Sequence, residues 1–119
     1  MAWQDSLQQR RQIVLATSSK DGHPNAIIVI SCGFIDGKLL IANCQMKSSF
    51  ENIQKNPNVC IIGTNVKEYY RIKGVVSVFS SGKFFDAAVK KSSPNPPVKS
   101  AIVIDIKEVF DLDKGEKIL

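Results

Sequence analysis

Two Asp-Gly pairs constrain this chain more than any other feature. Asp21-Gly22 and Asp36-Gly37 each stand between runs of β-branched and apolar residues, which is the pattern of tight antiparallel hairpins. The first pair joins Ile13-Val14-Leu15-Ala16-Thr17-Ser18 to a strand over Pro24 to Cys32, and the second joins that strand to Lys38 through Asn43. Three consecutive strands therefore form a meander, and the chain points away from a parallel sheet, whose neighbours need helical crossovers.

The remainder extends this pattern. Ser48-Ser49-Phe50-Glu51 reads as a capping box, with Ser48 as N-cap of a short helix that turns Phe50 and Ile53 inward and stops at Asn56-Pro57. Val59 to Thr64 is a fourth strand and Tyr69 to Ser80 a fifth, where Gly74 marks a bend or a close backbone approach. Lys83 to Lys91 carries Phe84, Ala87 and Ala88 at helical spacing, Ser92 to Pro97 is an extended loop, and Ala101 to Ile106 begins a sixth strand running toward Leu112. Upstream, Trp3 to Gln12 is rich in helix formers, with Asp5 or Ser6 as cap. Fold class follows: mainly β, a small six-stranded antiparallel barrel with short helices, in one domain over residues 1–119. Ala26 to Ile30 and Leu39 to Ala42 are apolar on both faces, so a helix or a second subunit must cover the outside, and a homodimer is expected.

Composition narrows the chemistry. The longest apolar run, Ala26 to Ile30, is far short of the ~20 residues of a membrane helix, and a cytoplasmic location is expected. Cys32, Cys44 and Cys60 are an odd set at wide spacings and His23 is the single histidine, which argues against a metal site and a disulfide framework. The net charge of +5 suits an anionic partner. No carboxylate pair, nucleophile with a supporting base, or glycine-rich phosphate loop occurs, so any chemistry belongs to a bound cofactor and no side chain is nominated as catalytic. Lys47, Ser48 and Ser49 place a cation and two hydroxyls at a helix start, where free N–H groups and the positive end of the dipole favour phosphate.

In this order, the stretches Leu15 to Asn25, Lys47-Ser48-Ser49-x-x-Asn52-Ile53, Asn56-Pro57-Asn58-Val59 and Tyr70-Arg71-Ile72-Lys73-Gly74 resemble the FMN-binding split barrels related to pyridoxamine 5'-phosphate oxidase. The resemblance covers about residues 7 to 112 and implies a split-barrel homodimer, with FMN in a cleft at the subunit interface. It also implies that Lys47, Ser48, Ser49 and Asn52 hold the phosphate, and that the backbone of Asn25, Ala26, Ile27, Ile28 and Val29 runs along the flavin ring. Ala42 and Asn43 would close the third-strand end, and Tyr69 or Arg71 would reach cofactor or substrate from one subunit or the other. Several family members carry two adjacent basic residues at the phosphate; here Ser48 follows Lys47, which leaves a place for Arg71 or another cation. The only tryptophan is Trp3, whereas oxidases acting on pyridoxamine phosphate use one toward the C-terminus, so that substrate is not expected.

The expected function is thus a flavin-dependent oxidoreductase working with a small-molecule electron donor or acceptor. A deazaflavin or haem is the alternative ligand, the lone histidine weighing against haem. A different class, a non-enzymatic nucleic-acid-binding barrel, draws on the charge and on Tyr69, Tyr70, Arg71 and Lys73 in one strand, against an aromatic content of only 8%.

Overall fold

Both Asp-Gly pairs make the hairpins their sequence dictates. Asp36 and Gly37 have φ of 53° and 76°, the left-handed pair whose twist matches that of the flanking strands, and Gly22 has φ of 83°. The structure, a computed structural model, describes residues 3–119. A 3-10 turn over Trp3–Leu7 precedes β1 (Gln12–Ser18), β2 (Pro24–Ile35), β3 (Lys38–Asn43), α1 (Ser48–Lys55), β4 (Asn58–Thr64), β5 (Tyr69–Phe79), α2 (Lys83–Lys90), β6 (Ser100–Asp111) and the two-residue β7 (Glu116–Lys117). Strands follow the order β3-β2-β1-β4-β5-β6, and β3 pairs with β6 to close the ring. Every pairing is antiparallel. The molecule is therefore the expected mainly β, six-stranded antiparallel barrel with two short helices, to which β7 adds a short extension of β6.

Alternation decides what lies inside. Ile13, Leu15, Leu39, Ile41, Ile61, Ile72, Ile102 and Ile104 fill the barrel, all of them 2% exposed or less. At about 1.5–3 kcal/mol for each such side chain removed from water, this layer dominates the stability of the fold. A second layer lies outside, where Ala88 of α2 packs on Leu40, Ala101 and Val103 with Phe84 beside them. The helix thus covers the outer face of β3 and leaves Ile28 and Ile30 on β2 uncovered, at 69% and 50% exposed. Gly74 makes the close approach its place in the strand suggested: a Cβ there would come within 2.7 Å of the Asp105 carbonyl oxygen, beside a register shift in the β5–β6 ladder.

Two expectations are corrected. The N-terminal helix does not reach Gln12, because Ser31 of β2 captures the chain first: its N–H donates to the Arg11 carbonyl and its carbonyl accepts from the Arg10 N–H, each at 2.8 Å. Ser48 is not the cap of α1. Lys47 occupies that position with no side-chain cap hydrogen bond, and Ser48 is already the first helical residue. No helix among the described residues is long and apolar enough to cross a membrane.

Candidate functional site

The ladder between β2 and β3 is missing along one half of β2. From Pro24 to Ile30 that strand pairs with β1 alone, and its pairing with β3 begins only at Ser31. Ser31 turns its backbone N–H and carbonyl toward β1. By alternation Val29, Ile27 and Asn25 do the same, while Ala26 and Ile28 turn theirs to the open side, where no strand meets them. The open edge borders a cleft of about 790 Å3, within the size range of cofactor sites.

Opposite this edge, β3 ends at Asn43 and the chain turns into α1. The Asn43 Oδ1 accepts the Met46 N–H at 3.0 Å while its Nδ2 donates to the Ser100 hydroxyl at 3.1 Å, which fixes the turn. Three further asparagines tie α1 to the first hairpin. Asn25 Nδ2 donates to Ser49 Oγ at 2.8 Å, Asn52 Nδ2 to Thr17 Oγ1 at 3.0 Å, and Asn56 Nδ2 to the Ser18 carbonyl at 3.3 Å. The start of α1 is thereby held against the open end of β2. Its first intrahelical bond runs from the Glu51 N–H to the Lys47 carbonyl, and no side chain caps the turn. The N–H groups of Ser48, Ser49 and Phe50 are left without an intrahelical acceptor. Ser49, only 2% exposed, accepts from Asn25 and keeps its own O–H to donate.

Of the residues nominated from sequence, Asn25, Ile27, Ile28, Val29, Ala42, Lys47, Ser48 and Ser49 line this one cleft. Ala26, between Asn25 and Ile27 on the same strand, is not among the lining residues. Asn43 and Asn52 lie behind it, with amides already engaged in placing the turn and the helix. Tyr69 and Arg71 do not line it: they stand on the outer face of β5, where the Arg71 guanidinium lies 4.7 Å from the centre of the Phe110 ring and its buried Nε has no hydrogen-bond partner. Tyr70 points into the barrel at 2% exposed and donates to Glu68 Oε2 at 2.6 Å, so it is not available to stack on a base. That bond to a carboxylate pushes its phenol up to about 12.

The sequence reading missed Arg10, Cys32, Cys44 and Lys91, which also line the cleft. Arg10 enters from the turn before β1 and Lys91 from the end of α2, far from the 47–52 segment, and nothing local marks either. Burial raises the Cys32 thiol above its ordinary range, which keeps it neutral and unsuited to act as a nucleophile. The cleft lining includes Arg10, Lys47 and Lys91 and no carboxylate.

The described architecture has named counterparts. The sequence matches the family model described as pyridoxamine 5'-phosphate oxidase over residues 1–113. The chain belongs to the pyridoxamine 5'-phosphate oxidase family. An uncharacterized protein of Methanocaldococcus jannaschii is 33% identical over 87% of this chain and 74% of its own length. Among solved structures, the family fold is shared with HupZ of Group A Streptococcus, at a TM-score of 0.84 and 20% identity, covering 98% of this chain and 96% of that one. It is shared too with an FMN-binding protein from Syntrophomonas wolfei, at a TM-score of 0.77 and 14% identity, covering 92% and 81%. At such identities these two structures speak for the family's fold alone.

The residues present suit a ligand with a phosphate tail and a flat ring whose rim bears hydrogen-bonding groups. The uncapped start of α1 with Lys47 and Ser49 presents cationic and N–H donors to the tail, and the unpaired backbone edge at Ile28 presents a donor and an acceptor to the rim.

Proposed function

We propose that this chain binds FMN in the cleft between β2 and α1 and works as a flavin-dependent oxidoreductase. One observation carries the reading: an unpaired strand edge and an uncapped helix start, two sets of unsatisfied backbone groups, face the same cleft. Bound flavin supplies the redox chemistry by taking up and returning electrons at its ring. Lys47 and the N–H groups of Ser48 and Ser49 hold the phosphate, and the buried Ser49 hydroxyl, oriented by Asn25, donates to it. The open groups of Ala26 and Ile28 fix the ring edge, while Ile27, Val29 and Ala42 exclude water from its flank.

The same reading makes the working unit a homodimer. Across the outer surface, Ile28 lies opposite Val14, Val14 opposite Ile62, and Ile62 opposite Arg71, so one apolar band crosses four strands and ends on a cation. Exposed Ile28 belongs both to that band and to the rim of the cleft. A second copy on this band would cover the rim, and Tyr69 and Arg71 would lie within the covered surface.

The test is the visible spectrum of the protein after supplementation with FMN and gel filtration, followed by mass identification of whatever denaturation releases. Oxidised-flavin absorbance and the mass of FMN support the reading. A deazaflavin mass would keep the cleft and change the cofactor, and a colourless protein would end the proposal.

A further inference from the structure

The flavin reading accounts for one end of the cleft and leaves the other unexplained. Asn25, which meets Ser49, lies six residues from Ser31, and at about 3.3 Å per residue the two ends are about 20 Å apart along β2. At the far end the Ser31 carbonyl accepts the Arg10 N–H at 2.8 Å, and the next carbonyl, that of Cys32, accepts Lys91 Nζ at 3.2 Å. The Arg10 backbone and the Lys91 side chain are thus held by adjacent residues of one strand, and both residues line the cleft together with Ser92 and Ser93. No carboxylate in the lining neutralises them.

Arg10 carries a second sign. Its φ of 76° lies in the left-handed region, which disfavours a side chain and suits glycine or asparagine. An arginine held in such a backbone conformation beside a cleft fits a residue kept for its side chain, since local strain gathers where a group must be presented. Arg10 offers five N–H donors in a planar fork, and Lys91, with one donor engaged by Cys32, has two more.

Resting on the flavin reading for its orientation, we propose that Arg10 and Lys91, with the hydroxyl of Ser92, form a second anion-binding station that holds the carboxylate or phosphate of the small molecule exchanging electrons with the flavin. With the cofactor's own phosphate at α1 and its ring along Ala26 and Ile28, this station lies beyond the ring. A substrate anchored there places its reactive part over the ring. The electron donor or acceptor is accordingly a small organic anion.

The test uses FMN-loaded protein titrated with phenyl phosphate and with benzoate, which share a ring and differ in the anion, followed by calorimetry and by perturbation of the flavin spectrum. At least one should bind saturably, and Arg10→Asn and Lys91→Gln should each weaken it about tenfold or more, as expected for a lost charge-assisted contact. Arg10→Gly should behave as Arg10→Asn, with a melting temperature no lower than that of the parent, which separates lost binding from lost folding. Which ligand binds more tightly assigns the station to phosphate or to carboxylate. Failure of both to saturate, or equal binding by parent and variants, overturns the proposal. So does a loss of FMN affinity in the Arg10→Asn/Lys91→Gln double variant as large as that in Lys47→Ala, because the station would then hold the cofactor itself. If the protein retains no flavin, the flavin reading fails by itself, and the same titrations on the flavin-free chain still decide whether the station exists.

Discussion

Ile28→Asp is the substitution that probes the outer band most directly. In the single chain Ile28 is 69% exposed, so replacing it empties no cavity in the core. The direct cost to the isolated fold is the difference in strand preference, about 1 kcal/mol at most. In a symmetrical pair joined through the band the position counts twice. Burying the exposed part of one isoleucine gives about 1.4 kcal/mol when a whole side chain is taken as about 2 kcal/mol, and the two copies together give about 3 kcal/mol. That corresponds to roughly a hundredfold or more in the dimerisation constant. Two aspartates brought close to the axis would add desolvation and mutual repulsion.

Sedimentation equilibrium over a range of concentrations measures the constant directly, and far-UV circular dichroism reports whether the barrel persists. The parent chain should associate as a dimer and Ile28→Asp should be monomeric at the same concentration with an unchanged spectrum. Flavin retention should fall with association, since Ile28 also lies on the rim of the cleft. A parent chain that sediments as a monomer, or a variant that dimerises as tightly as the parent, would refute the reasoning.

Three other outcomes follow from the same geometry. Lys47→Ala and Ser49→Ala should each weaken FMN binding by roughly tenfold to a hundredfold, the scale of one charge-assisted contact, read from fluorescence quenching of the titrated flavin. Gly74→Ala should destabilise the barrel by about 1–3 kcal/mol in urea unfolding, because the new Cβ meets backbone at Asp105 and the Ile104 side chain, both 2.7 Å away. Tyr70 is a case in pH linkage. Its phenol titrates near 10 when unfolded and at about 12 when folded, so between these values the native state holds the proton the unfolded state has released. The stability from this group is complete below about pH 10 and is lost as the pH rises toward 12. Urea midpoints across that window should fall more steeply for the parent than for Tyr70→Phe.

Turns and alternation made most of the barrel legible in advance. Asp21-Gly22, Asp36-Gly37 and Gly74 each carry their conformational reason locally, and the inside-outside pattern of β5 can be read from Tyr69-Tyr70-Arg71-Ile72. The apolar texture of both faces also had a mixed resolution that only packing could supply: α2 covers Leu40, while none of the described residues covers Ile28. The cleft lining was legible where it is contiguous, at Lys47, Ser48 and Ser49. It was not legible at Arg10 and Lys91, whose backbone N–H and Nζ bond the Ser31 and Cys32 carbonyls across long stretches of sequence. Roles were also redistributed among residues of similar chemistry. Asn52 and Asn43 are nominated by the positions they share with the family's motifs, and in the fold their amides are engaged with Thr17, Ser100 and the Met46 N–H.

The difference between the expected and the observed cap of α1 says why the cleft lies where it does. A serine at the N-cap would accept one of the first helical N–H groups and add about 1 kcal/mol to the helix. With Lys47 there instead, no side chain accepts them, and a cation stands beside donors already oriented by the dipole. The edge of β2 repeats this omission, since continued pairing with β3 beyond Ser31 would satisfy Ala26 and Ile28. In both places a favourable internal bond is missing, and both gaps open on the same volume. Donors and acceptors held rigidly by Asn25, Asn52 and Asn56 need no reorganisation when a ligand arrives, so the free energy forgone in the empty fold returns as affinity. On the flavin reading, the contribution of the chain to a reaction is to position a reactive ring by means of its backbone.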